Sequence, residues 1–115
     1  MLLTIDVGNT NTVLGVFSGE EVIEHWRIAT DPVRTADELA VILQGLLGQS
    51  TRLKDIDITG IALCSTVPSV LHEMREMLGR YYPDLNSVIA LRIIQAFSVY
   101  YLGKVHESRQ RAIRR

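Results

Sequence analysis

The stretch "TIDVGNTNTVLGVF", residues 4–17, places an acid, a glycine and four small polar residues between two apolar runs. Asp6, Gly8, Asn9, Thr10, Asn11 and Thr12 fall on a single crossing, where a plain hairpin needs only a two-residue turn. Gly8 lacks a Cβ, so the backbone there can come close to another group. Asn9, Thr10, Asn11 and Thr12 offer amide and hydroxyl donors. A turn rich in backbone N–H and hydroxyl groups suits phosphate oxygens. Asp6 closes the first apolar run, and its carboxylate would repel phosphate unless a cation stood between them. Mg2+ does this, often through water, and bridges phosphate oxygens. The pattern therefore suggests a nucleotide phosphate loop made by Asp6, Val7, Gly8, Asn9, Thr10, Asn11, Thr12 and Val13, with Asp6 near the metal through water. The plainer alternative is a polar hairpin whose Asp and Asn side chains bond only their own turn.

Such a loop needs strands on both sides. Residues 2–6 and 12–17 read as short buried strands, and "SGEE" at 18–21 as a turn in which Gly19 can take positive φ. Residues 22–30 alternate, with Val22, Glu24, Trp26 and Ile28 on one face and Ile23, His25 and Arg27 on the other. Three strands with short links suggest an antiparallel meander. Thr35-Ala36-Asp37-Glu38 is a capping box, and the helical spacing behind it predicts a helix over about 35–47 that stops at Gly48. Residues 57–66 read as a buried strand, apolar on both faces over Ile61–Cys64, as suits a parallel strand after a crossover helix. Pro68 and Ser69 open a second helix that carries Val70, Leu71, Met74, Met77, Leu78 and Tyr81 on one face and ends at Tyr82-Pro83-Asp84. A last strand is expected over about 86–90. Residues 90–102 fit a helix through Leu91, Ile94, Phe97 and Tyr101, and fit a strand through their β-branched and aromatic content. The helix is preferred.

With 115 residues, 47% of them hydrophobic, the chain can build one compact core. No apolar run reaches the roughly 18 residues of a membrane span. The N-terminus lacks the basic region and small-residue cleavage site of a signal peptide. One cysteine, Cys64, cannot form an internal disulfide, which fits a reducing compartment, and the cytoplasm is the expected setting. The net charge is −1, yet Lys104, Arg109, Arg111, Arg114 and Arg115 face a single acid, Glu107, in the last 12 residues. We read residues 1–103 as one domain and 104–115 as a basic tail, a solvated end in preference to a nucleic-acid contact.

Other polar residues have simple structural roles open to them. Arg34, Thr35 and Asp37 could face a ligand, although capping accounts for Thr35. Ser65 and Thr66 end the fourth strand, where α/β sheets often meet ligands, but they also suit helix capping. Trp26 is expected in the core, Cys64 as an inert core thiol, and His72 and Glu73 on the solvent side of the second helix. His25, His72 and His106 lack metal-ligand spacing.

The β-β-β-α-β-α order around an Asp-x-Gly-x-Thr loop resembles the sugar kinase, heat-shock chaperone and actin superfamily. It implies an α/β, ribonuclease H-like half-domain with a mixed sheet. Within that superfamily, "LLTIDVGNTNTVLGVF", "HWRIATDPVRTADEL" and "STVPSV" together resemble the N-terminal domain of type III pantothenate kinases over roughly residues 1–89. The resemblance implies that the loop holds ATP phosphates. It also implies phosphorylation of pantothenate on the way to coenzyme A, Mg2+, a monovalent cation (K+ or NH4+) and a homodimer. Two parts of the family pattern differ. The Asp-Phe-Gly-Thr loop of the family's second domain has no counterpart in this chain. At "IALRIIQAF", where the family has Gly-Ala-Asp-Arg, Ala90 and Arg92 match, while Leu91 replaces the Asp base. Arg92 would then touch pantothenate, and no catalytic base is identified. Two functions are carried forward: the kinase, and a non-catalytic fragment that binds nucleotide or docks a partner and dimerises through an exposed face.

Overall fold

The computed structural model describes residues 1–53 and 58–89. Five strands form one mixed sheet around two helices. The strands are β1 (Leu2–Val7), β2 (Asn11–Ser18), β3 (Glu21–Ala29), β4 (Gly60–Ser65) and β5 (Asn86–Ile89), and the helices are α1 (Ala36–Gln49) and α2 (Pro68–Tyr81). The spatial order is β3-β2-β1-β4-β5. β1, β2 and β3 pair antiparallel, as the meander predicts. β4 pairs parallel to β1 on one side and to β5 on the other, with α1 as the crossover from β3 to β4 and α2 as the crossover from β4 to β5. This is the mixed sheet and element order expected of a ribonuclease H-like half-domain. The helix expected over 90–102, the domain limit at 103 and the basic tail lie outside the described residues.

Alternation along the strands sets the two faces. Leu3, Ile5 and Val7 of β1 join Leu14 and Val16 of β2, Ile61 and Leu63 of β4, and the buried faces of α1 and α2 in one core cluster. Each such side chain contributes about 1.5–3 kcal/mol on full burial. Thr4, Phe17, Ala62 and Cys64 are also buried, outside that cluster. Trp26 is half-buried against the cluster, in partial agreement with its expected core position. A register shift between Val16 and Phe17 adds a residue to β3. That bulge reverses the alternation, so Ile23 packs on the same cluster as Trp26 and Ile28 instead of on the opposite face.

The capping box forms, with the Glu38 N–H donating to Thr35 Oγ1 at 3.3 Å and the Thr35 N–H donating to Glu38 Oε1 at 3.2 Å. The expected stop at Gly48 is corrected. The helix continues to Gln49, and among the described glycines positive φ occurs at Gly19. Ser50 ends α1 instead, its N–H donating to Leu47 O and its Oγ donating to Glu24 Oε1 at 2.7 Å. Two further expectations for α2 are corrected. Glu73 does not point to solvent; its Oε2 accepts from the Ala36 N–H at 2.9 Å and so serves the first turn of α1. Tyr81 leaves the apolar face, is 38% exposed, and donates its hydroxyl to Asp37 Oδ1 at 2.6 Å. Arg80 bonds the same oxygen at 3.2 Å. That hydrogen bond to Asp37 holds the Tyr81 phenol pKa above its usual value. Because Glu73 supplies an N-terminal acceptor from another helix, Glu73→Ala should cost about 1 kcal/mol. Glu73→Gln, which keeps an acceptor, should cost less, and urea titration of the two variants beside wild type measures the difference.

Candidate functional site

The crossing between β1 and β2 is tighter than the sequence suggests. The Val7↔Thr12 pair closes the ladder, so Asn11 and Thr12 belong to β2 and only Gly8, Asn9 and Thr10 lie outside it. The Gly8 N–H donates to Asn11 O at 2.9 Å. A Cβ at Gly8 would stand 3.1 Å from that same oxygen, a tight contact, so glycine serves close approach here and not positive φ.

The residues of this loop divide by direction. Asn9, Thr10 and Asn11 are exposed and Gly8 and Asp6 are half-buried. Val7 is fully buried in the helix-side core, so only its backbone can serve the loop. Val13 is half-buried, and it faces Asp6 across the β1–β2 ladder. Thr12 is 2% exposed, and its hydroxyl is bonded at 2.9 Å to the hydroxyl of Thr30. Its side chain therefore braces the loop from within. Thr30, just beyond β3, also donates its N–H to Thr10 O at 2.8 Å.

β4 supports the loop from the other side. Thr66 donates both its N–H (3.1 Å) and its hydroxyl (3.4 Å) to Val7 O. Ser65 Oγ accepts from the Val67 N–H and donates to Val67 O, both at 3.0 Å. These bonds shape the β4–α2 link, so the capping role expected of Ser65 and Thr66 is corrected. The cap position of α2 is Val67, with Pro68 next and no side-chain bond. The C-terminal ends of β1 and β4, the hairpin loop and the start of α2 thus gather on one edge of the sheet, the edge where parallel strands receive ligands.

Asp6 sits within this edge, paired across β4 with Cys64. Burial, with the Asp6 charge behind it, pushes the Cys64 thiol pKa up. Cys64 is 1% exposed and stays a neutral core group, as expected. Among the described residues no group of three His, Cys, Asp or Glu side chains could hold a metal by itself. A single carboxylate suits Mg2+, which usually keeps its waters and shares one or two carboxylates with substrate phosphates.

The other polar residues are engaged elsewhere. Arg34 Nη1 donates to Ala29 O at 2.8 Å, Thr35 caps α1 and Asp37 holds Arg80 and Tyr81. Leu91 and Arg92 lie outside the described residues. Thr30 and Glu73 were the structural contributors that sequence reasoning missed. Thr30 continues the inward register of Trp26 and Ile28 as a polar residue, and that was the available signal.

Comparison with known proteins places this arrangement. The chain is 64% identical over 92 residues to a type III pantothenate kinase of Streptomyces coelicolor, covering 77% of this chain and 35% of that protein. It is 55% identical over 89 residues to one of Acidothermus cellulolyticus, with 77% and 34% covered. The chain thus spans about a third of the length of these curated relatives. A candidate N-acetylmannosamine kinase from Listeria monocytogenes shares the fold, with TM-score 0.57 at 18% identity over 90% of this chain and 39% of that one. No helix among the described residues is long and apolar enough to cross a membrane. The family model for type III pantothenate kinase matches residues 2–101, and by that match the chain belongs to the type III pantothenate kinase family.

Proposed function

We propose that this chain provides the ATP phosphate loop for Mg2+-dependent phosphorylation of pantothenate, the first step towards coenzyme A. The observation that carries this is the loop's placement. Exposed Asn9, Thr10 and Asn11 and the half-buried Asp6 lie at the C-terminal ends of β1 and β4. The backbone from Asp6 to Val13 would line the phosphates. Gly8 lets the chain approach them closely, and Asn9, Thr10 and Asn11 offer donors to their oxygens. Asp6 would hold Mg2+ through water, and the metal would screen the carboxylate from phosphate and offset charge on the transferring group. K+ or NH4+, a homodimer and a cytoplasmic setting belong to the same reading through the family.

A second reading is a non-catalytic domain that holds nucleotide or docks a partner, dimerising through the face a second domain covers. Leu91 favours it, standing where the family pattern has the aspartate base, because leucine cannot accept a proton. Phosphoryl transfer depends mainly on positioning and charge, so this replacement alone does not decide the matter.

The deciding experiment is phosphate transfer from ATP to pantothenate by the full chain, with Mg2+ and K+, beside Asp6→Asn. Turnover that disappears in the variant supports the kinase. Well-folded protein that binds Mg·ADP without turnover supports the second reading, and protein that does neither removes the phosphate loop. Gly8→Ala gives an independent check. The new methyl would press on Asn11 O, opposing the roughly 0.4–1 kcal/mol that a stiffer unfolded chain contributes. Its melting temperature should stay near wild type while Mg·ADP binding measured by calorimetry falls.

A further inference from the structure

We propose that Thr30 is a positioning residue for the phosphate loop, acting through Thr12. This rests on the phosphate reading given above and goes beyond it by naming what holds the loop in shape. Thr30 reaches the outgoing arm of the loop twice. Its N–H holds Thr10 O at 2.8 Å, and its hydroxyl holds the Thr12 hydroxyl at 2.9 Å. Thr12 is 2% exposed, so within the folded domain its hydroxyl is removed from water and relies on a protein partner. Thr10 and Thr12 flank Asn11, whose carbonyl accepts from the Gly8 N–H. One residue at the end of β3 thereby fixes the strand position on both sides of the loop's internal hydrogen bond. The incoming arm has its own support, because Thr66 bonds Val7 O from β4. The loop is held between two threonines from different strands, and its exposed donors keep one arrangement before a ligand arrives.

The chemistry separates the two bonds of Thr30. Thr30→Val keeps the N–H to Thr10 and the β-branched shape but removes the hydroxyl. Thr30→Ser keeps both bonds. Thr12→Val breaks the hydroxyl pair from the other side. Hydrogen exchange at residues 9–12 reads loop order without a ligand, and calorimetry with Mg·ADP reads the consequence for binding.

Thr30→Val should weaken Mg·ADP binding by about 2- to 10-fold, the range of one net hydrogen bond, and should speed exchange at residues 9–12. Thr30→Ser should restore both. The Thr12→Val/Thr30→Val double variant should be no weaker than the weaker single variant, because both remove one shared bond. If Thr30→Val does not fold, Thr12→Val carries the same test. Wild-type protein that binds Mg·ADP, with Thr30→Val and Thr12→Val matching it in affinity and exchange, overturns the positioning role alone. Additive losses in the double variant also overturn it. Wild-type protein that binds no Mg·ADP removes the phosphate reading first, and a positioning role towards a ligand falls with it.

Discussion

Asp6→Asn is expected to weaken ADP binding in the presence of Mg2+ by about 10- to 100-fold, the usual loss when a group that orients a metal's shell is removed. Asparagine has nearly the shape of aspartate and keeps an acceptor, so the change is mainly one of charge. Asp6 is half-buried at the end of β1, between Val13 on β2 and Cys64 on β4. Burial pushes the Cys64 thiol pKa up, and the Asp6 charge beside it adds to that push. That same charge would repel bare phosphate. The sign of the effect should therefore reverse without metal. In EDTA the asparagine variant should bind ADP as well as wild type or better, and the loss should appear only when Mg2+ is added. A calorimetric series with and without Mg2+ measures both signs. Equal affinity of the two proteins in Mg2+ would remove Asp6 from the metal site. A loss of equal size in EDTA would point to a damaged loop instead.

Local patterns were legible in the sequence wherever one element decided its own shape. The short apolar runs gave β1, β2 and β4, the alternation over 22–30 gave β3, the capping box gave the start of α1, and Pro68 marked the start of α2. Errors arose where a distant element had the deciding contact. Gly48 suited a helix stop by type, but Ser50 is tied to Glu24 across 26 positions, and the helix runs on to meet it. Glu73 sat on a polar register, yet it faces the first turn of α1, 37 positions away. The β3 bulge moved Ile23 to the core face, and single-strand alternation does not show an extra residue. The site was legible to a similar degree. The types at Asp6, Gly8, Asn9, Thr10 and Asn11 marked the candidate loop, while the inward turn of Thr12 and its bond to Thr30 depended on how β2 and β3 meet.

Leu63→Ala is expected to have the largest effect on stability, and the site should follow it. Leu63 is fully buried on β4, opposite Ile5 on β1 and Ile89 on β5. Truncation there removes about 2–5 kcal/mol through lost burial and the cavity left behind. A domain of this size has about 5–15 kcal/mol in total. At about 4–8 °C per kcal/mol, the melting temperature should drop by roughly 10 °C or more. Val41→Ala, at a position 69% exposed on α1, should stay within about 0.5 kcal/mol of wild type. The link to function runs along β4. Three residues beyond Leu63, Thr66 supports Val7 and so the incoming arm of the loop. Loss of packing at Leu63 should weaken Mg·ADP binding only as the fold itself is lost, so binding should recover as the temperature is lowered. Asp6→Asn should show no such recovery, because the change removes charge at the loop and leaves the core side chains in place. Binding that failed in Leu63→Ala while its circular dichroism remained native would contradict this order of events. It would mean that β4 positions the loop by more than holding the sheet together.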